Sequence, residues 1–338
     1  MKRVFERVML GRLELKNRMI RSATWEALAD SAGNMNMDET IYTVYEDLAA
    51  GGVGAIISGF TAVADNDHYF EGMARLSNDE LIAQHKRLTD TVHKYSCPII
   101  AQLAMGEYNR DNYRGMEIDS LTQNDIETAK SLFIDAAVRA EKAGYDGVQI
   151  HAAHNFFLNR FISPAYNHRL DEYGGNAENR GRIIVEILSG IRKKVPDLHV
   201  TIKINCSDFI DGGLTPQDSL AICRLCADSG MDSIEVSGNR TSMPGIHAGE
   251  NEAYFKDYAL QLADSVNIPV ILVGGHRSII NMEKVLNEGR IEFLSLSRPL
   301  IREPGLPSRW QSGNTVPAEC VSCNMCYRTA GHRCIFRA

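Results

Sequence analysis

The sequence predicts a closed (β/α)8 (TIM) barrel. Three observations carry that reading: eight short runs rich in Val and Ile, amphipathic segments between them, and no linker before Pro304. Apolar runs of this kind are buried on both faces, the mark of parallel strands covered by helices. Eight such units suit a closed barrel better than an open, doubly wound sheet. A chain of 338 residues allows two domains, but single barrels reach this length.

The elements follow in order. VMLGRLELKNR reads as a hairpin turning at Gly11 and placed to plug the bottom of the barrel. Strands are expected at 18–23, 55–59, 98–103, 147–151, 199–205, 233–237, 269–274 and 293–297. Between the third and fourth, Leu132, Phe133, Ala136, Ala137, Ala140 and Ala143 recur at spacings of three and four, which puts them on one helix face. After the fourth, the glycine pair Gly174–Gly175 and Asn176, a helix N-cap, form a fixed loop that holds the fourth connection. From Gly305 to Pro317 the chain turns rich in Gly, Pro and Ser. The expected division is therefore a barrel over 1–304 and a short tail over 305–338.

Composition narrows the function classes. A net charge of −7, from 36 basic and 43 acidic residues, offers no basic surface for nucleic acid and no polybasic membrane anchor. The longest uncharged stretch, Leu48 to Ala64, is broken by four glycines and falls short of the roughly 20 apolar residues of a membrane span. The first ten residues, MKRVFERVML, carry charges throughout and lack a cleavable signal pattern, so a cytoplasmic protein is expected.

The fold also locates chemistry, because such barrels build their sites at the C-terminal strand ends. Polar residues ending the runs are Ser22 to Trp25, Gln102, His151 with His154, Lys203, Ser237, Gly274 with Gly275, and Ser297 with Arg298. The loops after the last two strands suit a phosphate, since glycine lets backbone N–H groups approach an anion. Gln102 can both donate and accept, which suits a heteroaromatic ring edge. Lys203 reads either as the ligand of an anion or electron-rich ring, or as half of an ion pair with Glu235 on the next strand. His151 and His154 allow three roles: metal ligands, donors to one anionic oxygen, or caps for nearby carbonyls.

Four blocks sharpen these alternatives: LKNRMIRSATWEALAD (15–30), QLAMGE (102–107), HAAHNFFLNRFISPAYNHRLDEYGGNAENRGR (151–182) and SLSRPLIREP (295–304). Together they resemble the old yellow enzyme family of flavin-dependent ene reductases, over roughly residues 1–310. The resemblance implies an FMN-binding barrel reduced by transient NAD(P)H and reoxidised by an activated alkene of enone or enoate type. It places FMN against Ser22, Ala23, Thr24, Gln102, Lys203, Gly274, Gly275, Ser297 and Arg298. It makes His151 and His154 the pair that hydrogen-bonds the substrate carbonyl, with Trp25 and Phe156 in the substrate pocket.

Three departures stand out. Phe156 replaces the family's proton-donating tyrosine, leaving Tyr69, Tyr108, Tyr166 or a water as the donor. Trp25 stands where some members tune the flavin with cysteine or threonine. QLAMGE lacks the usual histidine and arginine of the third strand end.

Four of the eight cysteines crowd the tail as Cys320-x2-Cys323-x2-Cys326-x7-Cys334. Such spacing suits an iron–sulfur cluster or zinc. Larger members resembled here, 2,4-dienoyl-CoA reductase and trimethylamine dehydrogenase, carry a [4Fe–4S] cluster on a comparable run with a longer last gap, then continue into nucleotide-binding domains. No G-x-G-x-x-G follows a strand in this sequence, so NAD(P)H is expected to bind over the flavin, or a partner protein to deliver electrons. Alternatives to alkene reduction are a dehydrogenase or demethylase, an electron-transfer subunit, and a metal-dependent hydrolase using the histidines. A homo-oligomer fits any of these.

Overall fold

The computed structural model describes residues 1–35, 39–67, 69–106 and 117–337. All eight expected strands form, as β1 (Met19–Arg21), β2 (Ala55–Ile57), β3 (Ile99–Ala104), β4 (Gly147–Ala152), β5 (His199–Asn205), β6 (Ser233–Ser237), β7 (Val270–Val273) and β8 (Phe293–Leu296). Every adjacent pair is parallel, and β8 pairs with β1, so the sheet closes into a TIM barrel. A short parallel extension, Thr61–Ala62 with Ala74–Arg75, continues beyond β3.

The hairpin of Val8–Leu10 and Leu13–Leu15 forms as expected, with Gly11 at a φ of 54°. A side chain there would press on Asp232 and His199, so glycine answers both the backbone conformation and the close approach. Leu10 and Leu15 pack against Ile20, Ala55, Ile57, Ile100, Ile271 and Phe293 inside the barrel. The hairpin is thus an apolar plug; each leucine contributes about 2–3 kcal/mol of burial. The larger core lies between the strands and the surrounding helices.

The helix Gln123–Lys142 turns Phe133, Ala136, Ala137 and Ala140 inward, as its periodicity requires. Thr122 and Asp125 close a reciprocal capping box at its start, and Thr215 with Asp218 do the same for Pro216–Asp228. Asn176 caps Ala177–Lys194 by accepting from the Asn179 amide at 2.8 Å. In the loop before it, Asn167 donates to the carbonyls of Phe161 and Tyr173, and Arg169 to those of Ile118 and Leu121. That block is scaffold.

Beyond Pro304, the helix Leu306–Gln311 packs back on the barrel, with Trp310 fully buried in the main core. The remaining tail crosses the mouth of the barrel. Arg277 donates to the Cys320 carbonyl at 2.7 Å, Tyr327 meets Ser242 at 2.7 Å, and His332 meets the Trp25 carbonyl at 2.6 Å. Among the described residues, no helix is long and apolar enough to cross a membrane.

Candidate flavin site

Side chains alternate along a strand, so every second residue of β3 to β6 points into the barrel. Gln149 and His151 face inward from β4, Lys203 from β5 and Glu235 from β6. In register, Gln102 lies beside Gln149, His151 beside Lys203, and Lys203 beside Glu235. These positions form a polar layer above the apolar plug.

The layer is tightly bonded. Gln102 donates to Gln149 at 2.9 Å, and Gln149 donates to the Glu235 carboxylate at 2.9 Å. Ser22 and Ser295 each donate to the other carboxylate oxygen at 2.7 Å. The Lys203 ammonium lies 3.1 Å from Glu235 and donates to Ser22 at 2.8 Å. Burial pushes the Glu235 carboxyl up, but Lys203 and the three neutral donors hold it below its ordinary range. The ion-pair alternative for Lys203 is therefore what forms, and the same lysine also lines the cavity above.

That cavity, of about 330 Å³, opens at the C-terminal end of the barrel. Ser22, Ala23, Thr24, Trp25, Gln102, His151, His154, Phe156, Lys203, Gly274, Gly275, Ser297 and Arg298 all line it, so one space collects every residue the resemblance assigns to flavin or substrate, whereas Ser237 does not line it. Gly274 and Gly275 adopt φ values of 126° and 80°, which only glycine takes readily. The Tyr254 ring packs on both, 2.9 Å from where a Gly275 side chain would begin. Arg298 is buried and donates to the Met243 carbonyl at 2.9 Å and to Asn324 of the tail.

His151 and His154 stand edge to face, with ring centroids 5.1 Å apart. Burial, then the charge of Lys203, lowers the His154 pKa to about 3, and burial drives His151 well below its usual value. Both rings are neutral at pH 7. His154 shares a hydrogen bond with Ser237 at 2.7 Å, whereas the buried Nδ1 of His151 has no partner. His154 and Asn155 both take left-handed backbone, which sets the turn that returns His154 to the cavity. Beside the histidines, Trp25, Phe60, Phe70 and Phe156 form an aromatic wall; Trp25 stacks on Phe70 at 4.3 Å and Phe156 meets Phe60 at 5.1 Å.

The residues present fit a flavin mononucleotide. The cavity offers amide and ammonium donors from Gln102 and Lys203, a glycine turn with the buried Arg298, and the neutral pair His151 and His154. A metal fits less well. Among the described residues, no three histidine, cysteine or carboxylate groups converge as ligands, at the histidines or in the tail.

The sequence matches the NADH:flavin oxidoreductase / NADH oxidase family over residues 3–316. The chain belongs to that family. Among curated relatives it is 30% identical to an NADH oxidase of Thermoanaerobacter brockii, over 95% of this chain and 53% of that protein. It is 28% identical to an NADPH dehydrogenase of Clostridium acetobutylicum, over 89% of this chain and 92% of the other. The chain thus spans about half the length of the first of these. Among solved structures, histamine dehydrogenase from Rhizobium sp. 4-9 superposes with a TM-score of 0.85 at 24% identity, covering 97% of this chain and 50% of that one. The old yellow enzyme homologue from Zymomonas mobilis gives 0.77 at 20% identity, covering 95% of each. These two likenesses establish the shared barrel.

Several residues of this site were not singled out from the sequence. Gln149 sits two positions before His151, so strand alternation would have found it, and Glu235 was named from the sequence only as a possible partner of Lys203. Phe60, Phe70 and Tyr254 come from loops, where no periodicity points inward. Of the tyrosines considered as donors, Tyr69 packs edge-on against Phe156 at 5.2 Å. Tyr166 packs against the core and Arg160, away from the cavity, and Tyr108 lies outside the described residues.

The tail cysteines are not drawn into one group. Burial and the neighbouring Cys320 and Cys323 push the Cys326 thiol up. Cys334 lies elsewhere, on a second cavity of about 460 Å³ shared with Glu26 and Leu48. The turn Ala330–His332, just before Cys334, is tied to the Trp25 carbonyl by His332, and among the described residues no three of the thiols converge. In this arrangement the four thiols do not fit a four-thiolate metal centre.

Proposed function

We propose that this protein is an FMN-dependent NAD(P)H oxidoreductase that reduces an activated alkene conjugated to a carbonyl. Two neutral histidines, His151 and His154, standing together on one cavity with an aromatic wall, carry the reading. Ser22, Thr24, Gln102 and Lys203 would hold the ring system of FMN, and Gly274, Gly275, Ser297 and Arg298 its phosphate. Bound FMN supplies hydride transfer between nicotinamide and acceptor.

The protein's own contribution is positional and electrostatic. His151 and His154, kept neutral, donate hydrogen bonds to the acceptor carbonyl and stabilise charge as it develops on that oxygen. Trp25, Phe60, Phe70 and Phe156 exclude water and select a flat, apolar acceptor. Phe156 donates no proton, so the α-carbon takes its proton from Tyr69 or from water. The tail cysteines take no part in this scheme.

A second reading, oxidation of a substrate C–H bond next to nitrogen, is favoured by Phe156, because hydride removal needs no acid at that position. Its fold likeness to histamine dehydrogenase points the same way. One experiment addresses both: load the protein with FMN anaerobically, then follow bleaching by NADH, NADPH or amines and recolouring by alkenes. Bleaching by a nicotinamide and recolouring by 2-cyclohexenone supports the first reading. Bleaching by an amine alone supports the second, and a protein that binds no FMN overturns both.

A further inference from the structure

We propose that Glu235 is a positioning residue that sets the reduction potential of the bound flavin through Lys203. The inference rests on the placement of flavin in the cavity above Lys203. Glu235 is fully buried and does not line that cavity, so it acts only through its neighbours.

Its carboxylate anchors both donors that reach the cavity from the barrel centre. One oxygen accepts from Ser22 and Ser295; the other accepts from Gln149, which in turn accepts from Gln102, and faces the Lys203 ammonium. An ammonium has three donors. Ser22 and Glu235 occupy two of them, which leaves one for the cavity that Lys203 lines.

The charges make the consequence directional. Two-electron reduction leaves a flavin ring more negative, and a cation at its edge favours the reduced form. A lone buried lysine would bias the couple strongly. With Glu235 3.1 Å away, the protein presents a nearly neutral pair, and the potential stays low enough for reduced flavin to pass hydride onward.

The test measures the midpoint potential and the FMN dissociation constant of the FMN-bound protein and of Glu235→Gln, Lys203→Met and the double variant. Glu235→Gln should favour reduced over oxidised flavin at least tenfold, which is ~30 mV upward for a two-electron couple. Lys203→Met should move the potential down, and the double variant should return close to the parent. The double variant leaves no unpaired buried charge, so it keeps the test decisive where Glu235→Gln folds poorly. A potential unmoved by Glu235→Gln, or a double variant that tracks Lys203→Met, overturns the proposal. If Lys203→Met also leaves the potential unchanged, flavin does not bind at Lys203, and the site assignment falls with it. Weaker FMN binding at an unchanged potential would mark Glu235 as structural only and equally overturn it.

Discussion

His151 and His154 share a strand end, yet only His154 is satisfied within the protein. That asymmetry gives single substitutions different meanings. Removing His151 costs the fold no hydrogen bond of Nδ1, whereas removing His154 costs Ser237 its shorter hydrogen bond and leaves it Thr241. His151→Ala and His154→Ala should each slow flavin reoxidation by an enone by about 10²-fold, the usual effect of losing one oxyanion donor. FMN content and bleaching by NADH should stay near the parent; stopped-flow absorbance checks both steps. Phe156 allows the opposite experiment. Phe156→Tyr places a hydroxyl next to His151, where ring centroids are 5.1 Å apart. Where protonation limits turnover, reoxidation by 2-cyclohexenone should speed up by about 10²-fold. An unchanged rate would mean that Tyr69 or water already supplies the proton.

At the scale of elements, the turns after the last strands and the helix caps carry separable costs. Gly275→Ala puts a side chain at a φ of 80° and 2.9 Å from the Tyr254 ring. Backbone strain of that kind costs of order 1–3 kcal/mol. We expect a lower melting temperature together with weaker FMN binding, read by fluorescence quenching; unchanged binding would remove the turn from the phosphate site. Thr122→Ala deletes half of a capping box far from the cavity. It should cost about 1 kcal/mol in urea unfolding and leave FMN binding alone. The contrast separates scaffold from site.

For the whole molecule, the buried histidines dominate the dependence of stability on pH. Burial lowers the pKa of His85, His199 and His276 to about 4 and of His154 to about 3, and it lowers His151 as well. Unfolded, each titrates near 6.5. Unfolding therefore takes up protons below that value. The stabilisation is complete above pH 6.5 and falls toward pH 4, by about 1.4 kcal/mol per pH unit for each histidine. Glu26 acts in the other direction. Burial raises its carboxyl to about 7, so its contribution is full below 4.5 and lost as pH rises through 7. With five histidines against Glu26 and His93, whose pKa its hydrogen bond to Asp146 raises, the urea midpoint should drop steeply from pH 7 to pH 4.5. A flat profile would show that these rings are not buried neutral.

The amino-acid order by itself determined the barrel, because each strand's Val and Ile content and each helix's apolar face follow from local periodicity. It also determined which residues meet at the cavity, since strand ends of a closed barrel share one rim wherever the intervening loops wander. Other features came only from tertiary structure. That Lys203 finds Glu235 rather than solvent depends on the register between β5 and β6. That His151 keeps a free nitrogen depends on burial by neighbours distant in the chain. The cysteine run shows the limit most clearly. Its spacing suggests four ligands for one ion, yet among the described residues no three of these thiols converge, and His332 beside Cys334 is tied to Trp25, 307 positions away. A motif specifies which ligands are near in sequence; where the backbone is tied down decides whether they converge.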